Sequence, residues 1–271
     1  MEDGNVRRVE RILKTSLPLF GFCPFEAIAD RLLSCRAAAR LPEAARTVVV
    51  CLFPYRWPHE GARNLSRYAC VPDYHRAAGG LLQQAAAALQ KAFPRERFVP
   101  FIDNSPVPEV RTAALAGLGA VGDNGLLIHP VYGSWVFIGE LVTTLSLPSG
   151  GPDTPPGCLH CGRCAAGCPS GCIGAEGSGG EPCLSAITQK KGTLTPREEG
   201  LLRTSPLVWG CDACQEVCPL NAGTVCAPHP CFDSYSPLLT EAGLEDWRDK
   251  PWGWRGREVP ARNLRLKGGS D

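Results

Sequence analysis

The segment CLHCGRCAAGCPSG, residues 158–171, carries four cysteines at the spacing C-x2-C-x2-C-x3-C, and a proline follows the fourth. In bacterial ferredoxin runs of this spacing, three thiolates bind one 4Fe-4S cluster and the fourth binds a second cluster. Zinc is the main alternative, but zinc sites usually pair two C-x2-C knuckles across a longer finger or ribbon. Three short spacings that end in Cys-Pro therefore predict two 4Fe-4S clusters.

A second run, GCDACQEVCPLN at residues 210–221, has three cysteines, and Val208 stands where a fourth is expected. In two-cluster ferredoxins the last cysteine of each run crosses to the other cluster. This analogy predicts one complete and one incomplete set of ligands. The first cluster would take Cys158, Cys161, Cys164 and Cys218, and the second would take Cys168, Cys211 and Cys214. The second cluster therefore lacks one thiolate.

Four unused cysteines nearby compete for this position: Cys172, Cys183, Cys226 and Cys231. Cys172 follows Cys168 closely in a turn, which makes it hard for both to bind the same cluster. Cys183 begins a predicted helix, CLSAITQK, after a glycine-rich loop. We favour Cys183 and keep the other three as alternatives. The unused thiols would then pack as small hydrophobic side chains.

The composition is that of a globular protein with an unusual number of cysteines. The chain has 271 residues, of which 44% are hydrophobic and 15 are cysteine, and its formal net charge is +1. A nearly neutral molecule needs a local patch to attract nucleic acid or a membrane. The charged N-terminus does not resemble a secretory signal, and no apolar run approaches the roughly 18 residues of a spanning helix. We expect a cytoplasmic protein without a membrane partner, in which clustered cysteines bind metal.

The pattern divides the chain near residue 150, because eleven of the 15 cysteines follow Gly157. We predict an α/β domain at residues 1–148, a linker at 149–157, a two-cluster ferredoxin-like α+β domain at 158–232 and a basic, Trp-rich tail at 233–271. In the first domain, apolar runs predict strands at 46–55, 97–103 and 134–147, and an Ala/Leu-rich helix at 73–93. Alternating strands and helices imply a layered α/β structure.

A further helix is predicted after Ser105, because a serine, a proline and Glu109 precede the sequence VRTAALAGLG. The peptide AGLGAVG matches G-x-G-x-x-G at Gly117, Gly119 and Gly122. A dinucleotide-binding loop must follow a strand, whereas this one follows a helix. We therefore interpret the glycines as a helix end and a loop of close approach.

The order of several motifs resembles the epoxyqueuosine reductase family. These are RYACVPDYH, then the region from Phe101 to Leu147 that begins FIDNSPVPEVRTAALAGLGAVGDNG, then the two cysteine runs with PCLSAIT between them. The resemblance extends from about Arg46 to Asn221. It implies that Cys183 is the eighth cluster ligand. It also implies that the α/β domain binds cobalamin, that the clusters supply its electrons, and that Asp103 is the general acid.

The resemblance also implies further residues that line the corrinoid. These are Tyr74, His75, Gly117, Gly119, Gly122, Asn124, Tyr132, Gly133 and Ser134. From the sequence alone, Asp103 at a strand end is more readily a turn or cap residue than an acid, and the resemblance reverses that order. To protonate an oxygen near pH 7 it must hold a proton, which burial against the corrinoid would favour.

The activity implied is reduction of epoxyqueuosine to queuosine at the wobble position of tRNA, with an external low-potential electron donor. Two features weaken the inference that this chain shares the RNA substrate of the family. Asp123 stands where the family commonly has lysine in G-K-N, and longer members continue into helical repeats beyond the point where this chain stops. The alternatives are a corrinoid iron–sulfur reductase of a small molecule, similar to reductive dehalogenases, and a non-enzymatic protein that transfers electrons or handles corrinoid.

The tail from Trp247 to Asp271 has seven Lys/Arg and three Asp/Glu, a balance of 7 − 3 = +4. Trp252, Trp254, Arg255 and Arg257 are interleaved in it and could stack on unpaired bases and pair with phosphates. Alternatively, the tryptophans pack onto the ferredoxin-like domain and the arginines face solvent. The sequence does not decide between these two hypotheses.

Overall fold

The computed structural model describes residues 2–58, 61–148, 157–174, 177–178 and 182–268. The chain forms two compact units. The first contains residues 1–54 and 75–159, and the second contains residues 55–74 and 160–271. Most of the predicted linker, residues 149–156, and parts of the glycine-rich loop before Cys183 lie outside the described residues.

The first unit is built on a four-stranded sheet of order β1-β2-β6-β3. Its strands are β1 (Phe20–Pro24), β2 (Thr47–Pro54), β3 (Phe98–Ile102) and β6 (Val136–Thr143). All three pairings in this sheet are antiparallel. Strand β2 is buried along its whole length, as its apolar run predicts for a strand covered on both faces.

Three helices and a small hairpin complete the first unit. They are α1 (Glu2–Leu13), α2 (Tyr74–Ala92), α3 (Glu109–Leu115), β4 (Ala120–Val121) and β5 (Leu127–Ile128). Helix α2 packs its Ala/Leu face inward, and a side chain at Gly139 on β6 would strike Leu82 at 2.6 Å. Gly139 therefore allows this helix to lie close to the sheet.

The predicted helix after Ser105 is present, but its start differs from the prediction. Helix α3 begins at Glu109 and is preceded by Pro108, which has no side-chain cap. The hydroxyl of Ser105 instead accepts the amide of Val107 at 3.1 Å, which stabilises the turn before the helix. The helix ends before Gly117, whose φ of +74° is typical of a residue just past a helix C-terminus. This confirms that the glycine motif follows a helix.

The second unit consists of short helices and two small strands. They are α4 (Arg163–Ala166), β7 (Ile173–Gly174), β8 (Gly177–Ser178), α5 (Leu184–Gln189), α6 (Pro196–Thr204), α7 (Ala213–Glu216) and α8 (Glu258–Gly268). Short 3-10 segments lie between them, including Ala242–Asp249 and Gly253–Arg255. Helix α6 has a capping box in which Thr195 and Glu198 bind each other's backbone amides.

The second unit differs from the predicted ferredoxin-like domain because it includes two additional segments. Residues 55–74, which the sequence assigned to the first domain, lie in it. The predicted tail also lies in it, since Trp252 and Val259 share a buried cluster with Leu65, Val208 and Trp209. Three segments distant in sequence therefore form one core.

Candidate functional site: an acidic cluster and a cysteine cluster

A group of titratable side chains surrounds the end of β3 in the first unit. Asp103 follows this strand directly and has a φ of +58°, in the left-handed region that few residues other than glycine and asparagine adopt. Its carboxylate oxygen Oδ2 lies 3.2 Å from Nε2 of His75, the second residue of α2. The sequence-predicted acid and histidine are therefore in direct contact.

The surroundings of Asp103 differ from the expectation of a buried acid. Its side chain is 58% exposed and that of His75 is 31% exposed. The first unit by itself therefore leaves the Asp103 carboxyl open to solvent, and any further burial must come from a bound group. Tyr74, the first residue of α2, is half-buried beside His75 in sequence.

Glu109 is a third member of the group, and the sequence analysis considered it only as a helix-start residue. Burial, and after it the charge of Asp103, raise the pKa of Glu109 to about 8. The backbone amide of Asp103 and the charge of His75 act in the opposite direction. One oxygen, Oε1, is buried without a hydrogen-bond partner among the described residues. Glu109 is therefore largely protonated at neutral pH.

Glu140 extends the group into the sheet. It lies on β6 opposite Phe101 of β3 and Val50 of β2, and it is 0% exposed. Burial raises its pKa well above the ordinary value, and the charge of Glu109 adds to this. The Ser105 hydroxyl approaches and partly offsets the shift, but neither carboxylate oxygen makes a contact of hydrogen-bond geometry within the described chain. Burial and the charge of Glu109 therefore both favour the neutral form of Glu140.

Neighbouring carboxyls with environments this different can separate acid and base roles, because each proton is held at a different pH. Of these three described carboxyls, Asp103 is the exposed one. The signal that could have identified Glu140 is a glutamate in the middle of an apolar strand, VFIGELVT, since a buried charged side chain is rare without a partner.

The predicted corrinoid contacts in the glycine-rich region form a compact loop in the same unit. A side chain at Gly119 would strike the Ile128 carbonyl at 2.6 Å, and one at Gly122 would strike Asn124 at 2.6 Å. These two glycines are buried, whereas Gly117 and Asn124 are half-buried. The buried pair therefore allows β4 and β5 to pack tightly, and the half-buried pair is open to a ligand.

A histidine that the sequence analysis missed organises the turn that carries Tyr132, Gly133 and Ser134. His129 and Gly133 exchange backbone hydrogen bonds of 2.9 and 2.8 Å. Nδ1 of His129 also accepts the amides of Val131 and Tyr132 at 3.1 and 3.3 Å. Burial lowers its pKa, which keeps the ring neutral and Nδ1 able to accept. Within this turn Tyr132 is half-buried, and Gly133 and Ser134 are buried.

The cysteines of the second unit fall at the ends of its short helices. Cys164 and Cys214 lie in α4 and α7, and Cys183 and Cys218 immediately precede α5 and the 3-10 turn Pro219–Asn221. Cys161 and Cys183 are exposed, and the other predicted ligands, Cys158, Cys164, Cys168, Cys211, Cys214 and Cys218, are half-buried. In each of the two four-residue helices the cysteine is the second residue, Cys164 in α4 and Cys214 in α7, and such short helical turns fit the C-x2-C spacing.

Two observations concern the prediction that Cys183 supplies the eighth thiolate, one in its favour and one in favour of Cys172. Burial raises the pKa of Cys211, and the charges of Cys183 and Cys168 raise it further, so these three thiols lie within electrostatic range of one another. However, the Sγ atoms of Cys168 and Cys172 are only 3.5 Å apart. The turn therefore brings the two sulfur atoms together, and Cys172 stays an alternative to Cys183 as the eighth ligand.

The hydrogen bonds around Cys168 favour its thiolate form. Burial acts to raise its pKa, but hydrogen bonds from Ser170, Cys172 and the Cys172 and Ile173 amides lower it to about 7. Thiolates are the form that binds iron. In contrast, burial raises the pKa of Cys231, and nearby Asp233 raises it further. Cys226 is exposed and its Sγ lies 3.8 Å from the Thr224 carbonyl oxygen.

Val208 stands where a ligand was expected because its position is part of the hydrophobic core. It is 1% exposed, its amide donates to the Asn64 carbonyl at 2.6 Å, and its carbonyl accepts from Asn263 at 2.8 Å. Gly210 follows with a φ of +74°, and a side chain there would overlap Ser66. The second cysteine run therefore starts from a rigid, buried segment.

An ion-pair network holds residues 55–74 against the second cysteine run. Oδ2 of Asp212 accepts Nη1 of Arg63 at 2.6 Å and the amide of Arg67 at 2.9 Å. Oε1 of Glu216 accepts from both arginines at 2.9 and 2.7 Å. Burial raises the pKa of Asp212 to about 6, and the charge of Arg63 limits that rise. The residue next to Cys211 is thus anchored by a distant segment.

Comparison with known families supports both units. Residues 157–221 match the family described as a 4Fe-4S double cluster binding domain. Residues 36–104 match the family described as Epoxyqueuosine reductase QueG, DUF1730. Together with the fold, the first match defines the class of protein: an α/β unit combined with an iron–sulfur unit of the double-cluster type. The prediction of an iron–sulfur module is therefore confirmed. Neither family description names a corrinoid.

Similar proteins name the family. The chain is 33% identical over 213 residues to an epoxyqueuosine reductase of Lactococcus garvieae (strain Lg2), covering 74% of this chain and 60% of that protein. It is 37% identical over 165 residues to one of Gloeobacter violaceus, covering 60% of this chain and 51% of that protein. The chain belongs to the epoxyqueuosine reductase family, as the sequence resemblance predicted. It spans less than two thirds of the length of these relatives.

Solved structures agree on the fold. The structure of epoxyqueuosine reductase from Streptococcus thermophilus matches with a TM-score of 0.78 at 23% identity, covering 96% of this chain and 80% of that one. A crystal structure of an epoxyqueuosine reductase with a tRNA-Tyr epoxyqueuosine-modified stem loop matches with a TM-score of 0.76 at 23% identity, covering 97% and 80%. None of the helices in the described residues has the length and apolar character needed to cross a membrane.

Proposed function

We propose that this protein is an oxidoreductase that converts epoxyqueuosine to queuosine in tRNA. The observation that carries the proposal is the pairing of Asp103 with His75 at 3.2 Å at the end of β3, in a chain that also matches a double-cluster domain. Relatives over most of the chain are named epoxyqueuosine reductase. The chain would act in the cytoplasm and receive electrons from an external low-potential donor.

The proposed ligands of the two clusters are those predicted from the spacing. Cys158, Cys161, Cys164 and Cys218 would bind the first cluster, and Cys168, Cys183, Cys211 and Cys214 would bind the second. The donor set fits, because cysteine thiolates are the usual ligands of 4Fe-4S clusters. The electrostatic proximity of Cys183 and Cys168 to Cys211 supports the second set. The 3.5 Å contact of Cys168 with Cys172 makes Cys172 the alternative eighth ligand.

We further propose that the first unit binds cobalamin. When bound, this cofactor would supply a strongly reducing cobalt centre for two-electron chemistry. The predicted contact residues that remain partly accessible are Tyr74, His75, Gly117, Asn124 and Tyr132. The buried members of the predicted set, Gly119, Gly122, Gly133 and Ser134, would shape the loops that present them. A large group placed over Asp103 would also supply the burial that the unit itself does not.

In this reaction the chain's own residues would manage protons. Removal of an epoxide oxygen as water, leaving a carbon–carbon double bond, consumes two electrons and two protons. Asp103 would donate one proton to the departing oxygen through its carboxyl group, as a general acid. His75 would hold the carboxyl in place, because its Nε2 lies within hydrogen-bond reach of Oδ2. Glu109 and Glu140, whose pKa values are both raised, would limit the negative charge behind the acid.

The decisive experiment is an anaerobic assay of the purified, cluster-loaded chain with cobalamin, a chemical low-potential reductant and a stem-loop RNA that carries epoxyqueuosine. Nucleoside analysis by mass spectrometry would show queuosine appearing as epoxyqueuosine disappears. The matched control is Cys211→Ser, which should lower both iron content and conversion. Retention of the epoxide by a protein with full iron content and reduced clusters would contradict the proposed substrate.

A further inference from the structure

A broad cleft in the second unit is lined mainly by basic side chains. It has a volume of about 950 Å³ and is formed by α8, the 3-10 segments before it and the turn at Lys191. Six cations line it: Lys191, Arg248, Arg255, Arg257, Arg262 and Arg265. Two acids, Glu245 and Glu258, also line it, which gives a local balance of 6 − 2 = +4. The whole chain has a net charge of only +1, so this cleft concentrates positive charge.

Two of the six cations are engaged within the protein. Arg257 pairs with Glu245 at 3.2 Å. Arg262 donates to the carbonyls of Lys190 and Gly192 at 2.8 and 2.9 Å and to the Asn263 side chain. This arginine therefore serves as part of the floor of the cleft.

The other four cations, Lys191, Arg248, Arg255 and Arg265, have no carboxylate partner within 4 Å among the described residues. Lys191, Arg248 and Arg265 are exposed, and Arg255 is half-buried. Nε of Arg255 is itself buried without a hydrogen-bond partner in the described chain. A charged group that is desolvated and unpaired costs stability unless a ligand supplies the missing acceptor.

An exposed aromatic surface lies beside these cations. Trp254 is 55% exposed, and the guanidinium of Arg255 stacks on its ring at 3.7 Å from the centroid. Arg248 similarly covers the ring of Trp247 at 4.9 Å. Trp252, in contrast, is 2% exposed and belongs to the core. Trp252 therefore packs onto the second unit, as one hypothesis for the tail predicts, and Trp254 remains exposed.

We propose that this cleft is a binding site for the phosphate backbone of RNA, with Arg248, Arg255, Arg265 and Lys191 as phosphate contacts and Trp254 as a platform for an unpaired base. The inference rests on the proposed function, because it assigns a surface to the tRNA substrate. It concerns binding rather than chemistry, and unmodified RNA can test it whether or not the chain reduces an epoxide.

The chemistry of the cleft favours RNA over other polyanions. Three of the four available cations are arginines, which pair with phosphate through two parallel hydrogen bonds and also stack on aromatic rings. An exposed tryptophan next to several cations is typical of surfaces that bind single-stranded loops, where bases are free to stack. An acidic peptide or a sulfated polysaccharide would use the charges and leave the aromatic platform unused.

The test is fluorescence anisotropy of a labelled, unmodified RNA stem-loop with the full, cluster-loaded chain at several salt concentrations. Four phosphate contacts predict a slope of log K against log salt of roughly −3, so affinity should fall about fiftyfold between 50 and 200 mM salt. Arg248→Gln with Arg265→Gln should reduce the slope to about half, and the fall over the same range to about sevenfold. The double replacement by Lys keeps both charges and should retain most of the salt slope.

The matched control is Arg7→Gln with Arg11→Gln, which removes two exposed arginines from a basic surface of α1 in the first unit. This control should bind RNA as tightly as the unchanged protein. Trp254→Ala should weaken binding to a stem-loop more than to a blunt duplex, because only the loop offers unpaired bases. Equal losses from the cleft and control variants would overturn the inference, as would heparin or polyglutamate binding to the cleft as tightly as RNA does.

Discussion

Replacing Glu109 by glutamine should stabilise the protein in a pH-dependent way. A carboxyl whose pKa is raised by folding holds its proton in the folded state at pH values where the unfolded chain has lost it. Stability is therefore greatest below the unfolded pKa and falls as pH rises toward the folded one. For Glu109 these limits are 4.5 and about 8. Glutamine has no proton to lose, so the substitution should remove this dependence.

The size of this stability difference follows from the gap between the two pKa values. A shift of 8 − 4.5 = 3.5 units corresponds to about 5 kcal/mol at most, at about 1.4 kcal/mol per unit. The actual loss is smaller, because Glu109 is partly exposed and its protons are coupled to those of Glu140 and Asp103. If half is realised, the melting temperature of Glu109→Gln should exceed that of the unchanged protein by roughly 5–10 °C at pH 8.

The assay is thermal unfolding of the cluster-loaded chain from pH 5 to pH 8 at one fixed scan rate, which keeps irreversible steps comparable. The difference in melting temperature between Glu109→Gln and the unchanged protein should be near zero at pH 5 and increase with pH. Glu26→Gln, an exposed glutamate of the same unit, is the control and should show no such trend. A difference that stays constant over this range would refute the reasoning, since it would mean that Glu109 titrates alike in both states.

Three further outcomes are expected. Cys183→Ser should lower the iron content from eight toward four per chain and Cys172→Ser should leave it unchanged, as measured by iron analysis and electron paramagnetic resonance; the reverse pattern would make Cys172 the eighth ligand. Asn263→Ala should destabilise the second unit by about 3 kcal/mol, because the amide of this fully buried residue serves two buried carbonyls, and chemical denaturation followed by tryptophan fluorescence would measure it. Asp103→Asn should keep cluster and corrinoid spectra but lower turnover at least a hundredfold, and unchanged turnover would remove Asp103 from the mechanism.

Much of the fold could be predicted because its signals are local. The strands at Thr47–Pro54 and Phe98–Ile102 and the helix at Tyr74–Ala92 lie within a residue or two of the apolar runs that indicate them. One feature of the sheet could not be predicted. Alternating strands and helices do not specify strand direction, and in this sheet β6 lies between β2 and β3 and runs opposite to both. Strand order depends on chain crossings that no short window of sequence contains.

Only part of the candidate site could be predicted, because the rest depends on contacts between segments that are distant in sequence. Asp103 and His75 could be identified through resemblance to a family, and the structure brings them together at 3.2 Å. The acids behind them were not identified, because Glu109 starts a helix and Glu140 sits within a strand, 31 positions apart in sequence. Their interaction arises from burial in the same part of the first unit, which raises the pKa of both.

The sequence by itself determined the iron–sulfur chemistry, since cluster ligands lie close together along the chain and their spacing is a property of short turns. Only the tertiary structure decided why Val208 is not a ligand and which tryptophan of the tail is available. Val208 and Trp252 share a buried cluster with Leu65 and Leu239, which come from other parts of the chain. Burial depends on the contacts a side chain finds in three dimensions, and spacing along the chain does not record them.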